Sequence, residues 1–158
     1  MSLELTVTTP SEREIRIERK FAAPRPRVFD CWTRPELLKQ WMTGPPGWVL
    51  EVCTIDLRVG GAFRYVWRGG GAELASGGVY REIDAPRRVV NTEKYDQDWT
   101  GGETIGTLEM DETAGTTTAT VTLLYASAEA RDGALASGMA EGMGAGFQSL
   151  DAFLKTQN

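Results

Sequence analysis

Ile15, Ile17 and Phe21 alternate with Arg16, Glu18 and Lys20, a two-residue period that predicts a strand with one face turned to a core. Pro24 and Pro26 stop that strand, and Pro26 sits in the first turn of a helix whose Val28, Phe29 and Trp32 share one face. Pro35 starts a second short helix, with Leu37, Leu38, Trp41 and Met42 at helical spacing, and Gly44, Pro45, Pro46 and Gly47 end it. Strand-like stretches follow from Trp48 to Leu57, Ala62 to Arg68, Ala75 to Ile83, Arg87 to Asp96, Glu103 to Met110 and Thr116 to Tyr125, separated by glycine-rich or Asp-Ala-Pro turns.

After Ser127, a residue type able to cap a helix N-terminus, the period changes to about 3.6 residues. Leu135, Met139, Met143, Phe147, Leu150 and Leu154 form one stripe, and the pattern predicts a single helix about 25 residues long. Short turns between about seven strands imply an antiparallel sheet, and a long amphipathic helix must cover its apolar face. The expected fold class is α+β of the helix-grip type: a curved antiparallel sheet around a long C-terminal helix, with two short helices after the first strand.

The chain has 158 residues, enough for one domain that buries roughly two thirds of its unfolded surface. A net charge of −5 argues against nucleic acid as a partner, since phosphate binding needs a clustered excess of Lys and Arg. The basic residues between Arg13 and Arg27 are interleaved with Glu12, Glu14 and Glu18, and are expected on a solvated face. No basic start precedes an apolar run, and the uncharged stretch from Thr113 to Ala128 is rich in threonine, so neither a signal peptide nor a membrane span is expected. Cys31 and Cys53 are too few and too far apart for a disulfide framework or structural zinc. The expected setting is cytoplasmic, with residues 1–10 a flexible tail, and a homodimer is left open.

The absence of histidine removes the commonest general base, the Ser-His and Cys-His nucleophile pairs and the commonest metal ligand. Any proton transfer falls to a carboxylate such as Glu93, a tyrosine, or a lysine shifted by burial. The carboxylates lack metal-ligand spacing, so no metal is expected, and no cofactor is implied. Asp56 and Arg58 stand two apart on one strand face and are placed to pair beside the Gly60-Gly61 turn, which leads into no helix and so is not a phosphate loop.

Phe63, Tyr65 and Trp67 alternate with Arg64, Val66 and Arg68, which puts three aromatics on one strand face. On the concave side they would line a cavity together with Trp41, Tyr80, Met139, Met143 and Phe147; the same residues equally well make an ordinary core. Tyr65 and Tyr80 bring hydroxyls able to orient a bound molecule, while Trp48 and Trp99 lie where an entrance would be framed. Gly138, Gly142 and Gly146 recur along the last helix, either to let it approach the sheet or to widen a cavity.

Several segments in order resemble the activator of heat-shock protein 90 ATPase homologue family, a branch of the START-like, polyketide-cyclase-like superfamily. They are Ala23-Pro24 with Val28-Phe29 and Trp32; Pro35-Glu36-Leu37 with Trp41; Asp56-Leu57-Arg58-Val59-Gly60-Gly61 with Phe63; Gly78-Val79-Tyr80 before Glu82-Ile83; and Glu141-Gly142 with Leu150-Asp151. The resemblance spans residues 13 to 155 and implies a cavity between sheet and last helix. It is compatible with three classes of function. The first is binding of a hydrophobic, aromatic or lipid-like small molecule. The second is a cyclase, dehydratase or hydrolase in which Tyr65, Tyr80 or Glu93 moves a proton. The third is co-activation of a chaperone ATPase, although the additional chaperone-binding domain of the eukaryotic co-activators has no counterpart here.

Overall fold

In the computed structural model, which describes residues 5–98 and 101–156, the alternating segments form strands β2 (Glu14–Phe21), β3 (Val49–Ile55), β4 (Ala62–Gly69), β5 (Ala72–Asp84), β6 (Arg88–Tyr95), β7 (Thr104–Thr113) and β8 (Thr116–Leu124). A further strand, β1 (Thr6–Thr8), pairs antiparallel with β2 inside the stretch expected to be a tail. The described sheet is therefore eight-stranded rather than seven, in the order β1-β2-β8-β7-β6-β5-β4-β3, every neighbouring pair antiparallel. Register shifts between Leu50 and Val52 and between Tyr80 and Glu82 interrupt the ladder. Irregularities of this kind bend a strand and increase its twist, which helps the sheet curl.

Two short helices follow β2: α1 (Arg25–Thr33) and α2 (Pro35–Leu38). Pro24 offers no side-chain cap to α1, and the exposed amide of Arg25 is met by the Glu112 carboxylate at 2.7 Å, which ties the helix start to the end of β7. The second helix is shorter than its apolar spacing suggests. It stops at Leu38, and Trp41 and Met42 continue in a turn whose amides bond to the Leu38 carbonyl at 3.2 and 3.0 Å.

The expected single long helix is two: α3 (Ala128–Ala136) and α4 (Met139–Thr156). Ser127 caps α3, its hydroxyl accepting from the Ala130 amide at 3.0 Å. Gly138 has a φ of +83°, a left-handed conformation in which a Cβ would be strained, so the chain leaves one helix and re-enters the next at the residue where glycine is cheapest. The apolar stripe runs through the break because both helices present it to the same interior.

That interior is the concave face of the sheet. Register places Ile15, Ile17, Arg19 and Phe21 on it from β2, with Leu123, Val121, Ala119 and Thr117 opposite them on β8. Phe147, Leu150 and Leu154 of α4 are buried against this end, and the close approaches of α4 are to β2 and α3. Phe147 meets Phe21 edge-on at 5.9 Å and lies 5.6 Å from Trp32 and 6.1 Å from Trp41, making a packed aromatic cluster that joins α1, the turn after α2, β2 and α4.

Arg19 departs from the expected solvated run of charges. It is buried under α4, its guanidinium 4.9 Å above the Phe21 ring and 4.0 Å from Asp151. Its position in the two-residue alternation, between Ile17 and Phe21, is what carries it inward.

Candidate ligand site on the concave face

Beyond the end that α4 covers, the concave face becomes polar and aromatic. Phe63, Tyr65 and Trp67 of β4 point inward together, and Tyr65 lies opposite Ser76 of β5, which in turn lies opposite Tyr95 of β6. Two-residue alternation then puts Glu93 and Asn91 on the same face as Tyr95, and Tyr80 with Ser76. On the next pair of strands Thr104 faces Glu93, and Tyr125 follows β8 with its ring buried. All four tyrosines of the chain, Tyr65, Tyr80, Tyr95 and Tyr125, therefore lie on the concave face, with Tyr65, Tyr95 and Tyr125 around the Glu93 carboxylate.

The rings of Tyr80, Tyr65 and Tyr95 join Phe63 and Trp67 in a connected wall. Centroids of Tyr80 and Phe63 are 5.5 Å apart, Phe63 and Tyr65 4.9 Å, Tyr65 and Trp67 5.7 Å, and Trp67 and Tyr95 6.5 Å with the last pair stacked. The Trp67 indole donates to the Met42 carbonyl at 3.0 Å, which anchors that end of the wall to the turn after α2. The Ser76 hydroxyl donates to Glu93 Oε2 at 2.9 Å.

Electrostatically the region is dry. Burial pushes the phenols of Tyr65 and Tyr95 well above the ordinary tyrosine range, raises Tyr80, and pushes Tyr125 up to about 12. Burial likewise raises the Glu93 carboxyl, against the opposing effect of the Ser76 hydrogen bond. Yet Tyr65, Glu93 and Tyr95 each keep part of their surface accessible. Deep side chains that keep some accessible surface fit the wall of a recess and equally the margin of a core.

The eight residues expected to line a cavity divide in two. Phe63, Tyr65, Trp67 and Tyr80 are brought together on the wall. Trp41 and Phe147 belong to the packed aromatic cluster, where the Trp41 indole donates to the buried Cys31 carbonyl at 2.9 Å. Met139 and Met143 lie on the first turns of α4, half-buried and packed on the edge of the core. Ser76, Tyr95 and Tyr125 were not singled out from the sequence, although Tyr95 lies two residues from Glu93 and so shares its strand face.

The helix glycines do not act as a set. A Cβ at Gly142 would meet nothing within 4 Å, so close approach to the sheet does not require glycine there, whereas one at Gly146 would touch the Trp41 ring at 3.8 Å. Trp48 lies against Gly69, where a Cβ would come within 2.4 Å of the indole; Trp99 lies outside the described residues. Asp56 and Arg58 pair at 2.8 Å, both largely exposed, but they do so in the turn after β3, which ends at Ile55, rather than on a strand face. Cys31 and Cys53 are free, buried thiols, each pushed up to about 11 by desolvation.

A separate surface depression of about 430 Å³ lies between Val59 and the β5–β6 hairpin, walled by Arg81, Glu82, Ile83, Asp84, Arg87 and Arg88. Its arginines are paired: Arg81 with Glu103, Arg87 with Asp84, and Arg88 with both Glu82 and Glu109. Being open and charge-cancelled, it offers a ligand little that water does not.

The chain matches the model of the family described as Activator of Hsp90 ATPase homolog 1-like protein over residues 22–155. Among solved structures, a protein from Rhodobacter sphaeroides is similar at 32% identity, covering 97% of this chain and 99% of that one, with a TM-score of 0.91. A protein from Mycobacterium smegmatis is 26% identical, covering 96% and 97%, with a TM-score of 0.82. The AHSA1-like protein from Aeromonas hydrophila, at 18% identity over 88% of this chain and 92% of its own, shares the fold with a TM-score of 0.72. No curated protein matches. No helix among the described residues is long and apolar enough to cross a membrane. The family match, the helix-grip architecture and the agreement with these structures lead to one conclusion: the chain belongs to the Activator of Hsp90 ATPase homolog 1-like family, within the START-like superfamily.

Proposed function

We propose that the protein binds a small, largely apolar or aromatic molecule in the recess of the concave face, between the wall of Phe63, Tyr65, Trp67 and Tyr80 and the first turns of α4. The observation that carries this reading is the continuous aromatic wall of Tyr80, Phe63, Tyr65, Trp67 and Tyr95 on the concave face, where Tyr65, Glu93 and Tyr95 keep accessible surface. Flat rings supply most of the contact, and the hydroxyls of Tyr65 and Tyr80 orient a polar substituent. Met139 and Met143, flexible and half-buried, adapt the rim to guests of different shape.

Native mass spectrometry and thermal-shift measurements against a panel of aromatic metabolites and single-chain lipids test the reading. Stoichiometric adducts that raise the melting temperature are expected, weakened by Tyr65→Ala or Phe63→Ala in protein that remains folded. A panel without any binder, together with a densely filled interior, would overturn it.

Glu93 favours a second, enzymatic reading. A carboxyl raised by burial and set among phenols can move a proton in a dry site, and such sites owe much of their rate to positioning. Turnover of a bound compound that is abolished in Glu93→Gln while binding persists would establish it. Regulation of a chaperone ATPase is what the family's description names; titrating this chain into a chaperone ATPase assay decides whether it extends here, an unchanged rate counting against it.

A further inference from the structure

Glu93 is the carboxylate beside the aromatic wall, and among the described residues it makes no ion pair; its partner is the Ser76 hydroxyl. Of the two oxygens of Glu93, Oε2 accepts from Ser76 at 2.9 Å, and Oε1 has no hydrogen-bond partner among the described residues. On the strands, the cation of the concave face is Arg19, which lies at the β2 end and is occupied by Asp151 and by the Lys20 carbonyl at 3.1 Å. Lys94, next to Glu93 in sequence, points to the opposite face and is exposed. Around the carboxylate stand the rings of Tyr65, Tyr95 and Tyr125, each close enough to feel its charge, with Tyr80 and Trp67 continuing the wall.

Resting on the ligand-binding reading above, we propose that the guest of this recess carries a basic nitrogen, an amine or a heteroaromatic cation, seated against Glu93 with its cationic group facing the tyrosine rings. Two physical effects select it. An aromatic face attracts a cation through its quadrupole, and does so most strongly where water is excluded. A carboxylate in a dry site is costly to ionise alone, and becomes favourable to ionise when a positive partner arrives. The same features reject a guest ending in a carboxylate, because Glu93 repels it, and the cation nearest the wall, Lys39, acts at Cys53 on the far side of Tyr65, where Glu36 opposes it. Fatty acids and other anionic amphiphiles are thus excluded by charge even where their apolar body fits.

The test is isothermal titration calorimetry of the full chain with three probes that share one apolar body: naphthylmethylamine, naphthylmethanol and naphthoic acid. The amine is expected to bind about tenfold or more tightly than the alcohol, the acid most weakly. In Glu93→Gln the amine's advantage disappears while the alcohol's affinity is retained. Ser76→Ala, which keeps the carboxylate and removes only its hydrogen bond, preserves the preference and serves where the Gln variant does not fold. Amine and alcohol binding equally to the wild-type chain, or an amine preference that survives in Glu93→Gln, would overturn the cation assignment and leave the recess intact. If none of the three probes binds, the recess reading itself falls.

Discussion

Ser76 reaches past its register partner Tyr95 to donate to the carboxylate of Glu93, 2.9 Å away on the adjoining strand. This diagonal bond is the one hydrogen bond to the Glu93 side chain from the described residues, and it sits among Tyr65, Tyr95 and Tyr125. It opposes the effect of burial without cancelling it, so the Glu93 carboxyl stays raised above its usual value.

The sign of the resulting pH dependence follows from that direction. A carboxyl whose folded value lies above its unfolded value of 4.5 favours folding while both states are protonated, and the contribution is lost as pH climbs from there through the folded value. Glu93→Gln is therefore expected to melt close to the wild type near the acid end of that window and above it at neutral pH. A difference in melting temperature that does not change across the window would contradict the buried, cost-bearing carboxyl.

Gly138, in the break between α3 and α4, and Gly142, inside α4, should respond in opposite directions. Gly138→Ala forces a Cβ into a φ of +83° and should cost about 1–2 kcal/mol. Gly142→Ala, on a helical residue whose added Cβ meets nothing within 4 Å, should gain up to about 1 kcal/mol. Chemical denaturation of both variants checks the pair. Gly142→Leu probes the space further: loss of a bound apolar probe with stability kept would show that the guest extends to that turn.

Trp41 ties the aromatic cluster to α1 through its indole bond to the Cys31 carbonyl. Trp41→Phe preserves most of the ring contact but leaves that buried acceptor unmet, and should destabilise by about 1–3 kcal/mol in denaturant unfolding. Little or no loss would mean that the cluster is held by packing alone.

Cys31 and Cys53, both free and pushed up to about 11 by burial, should resist alkylation by iodoacetamide at pH values near neutral, and both should react once the chain is unfolded in urea. Rapid modification of either thiol in the native protein would show an opening that the fold does not display.

Most of the architecture was legible because burial on one face imprints a period. The alternation of Ile15, Ile17 and Phe21, and of Phe63, Tyr65 and Trp67, identifies strands and their inward faces directly. The edge strand Thr6–Thr8 was not legible, since all three residues are exposed and leave no apolar signature. The helix break was hidden for the opposite reason: Leu135 and Met139 keep helical spacing across it, and only the backbone of Gly138 reveals the interruption.

The site was partly legible. Tyr65, Tyr80 and Glu93 were named from the sequence, but their convergence depends on register between strands, which the bulge at Tyr80 and Glu82 alters. Val89 and Val90 are both buried, so apolarity alone does not say which alternate set of β6 faces inward. Trp41 and Phe147 share the aromatic character of the wall, and only their neighbours show that they belong to the packed end instead.

The most direct measurement is an amide chemical-shift map of the chain titrated with naphthylmethanol. Saturable shifts centred on Tyr65, Ser76, Glu93 and Tyr95, with the Trp41 and Phe147 region unmoved, are expected if the middle of the curled sheet is hollow and receives a guest. Shifts gathered instead around Val59 and Arg87 on the outer surface, or no saturable shift at all, would contradict it.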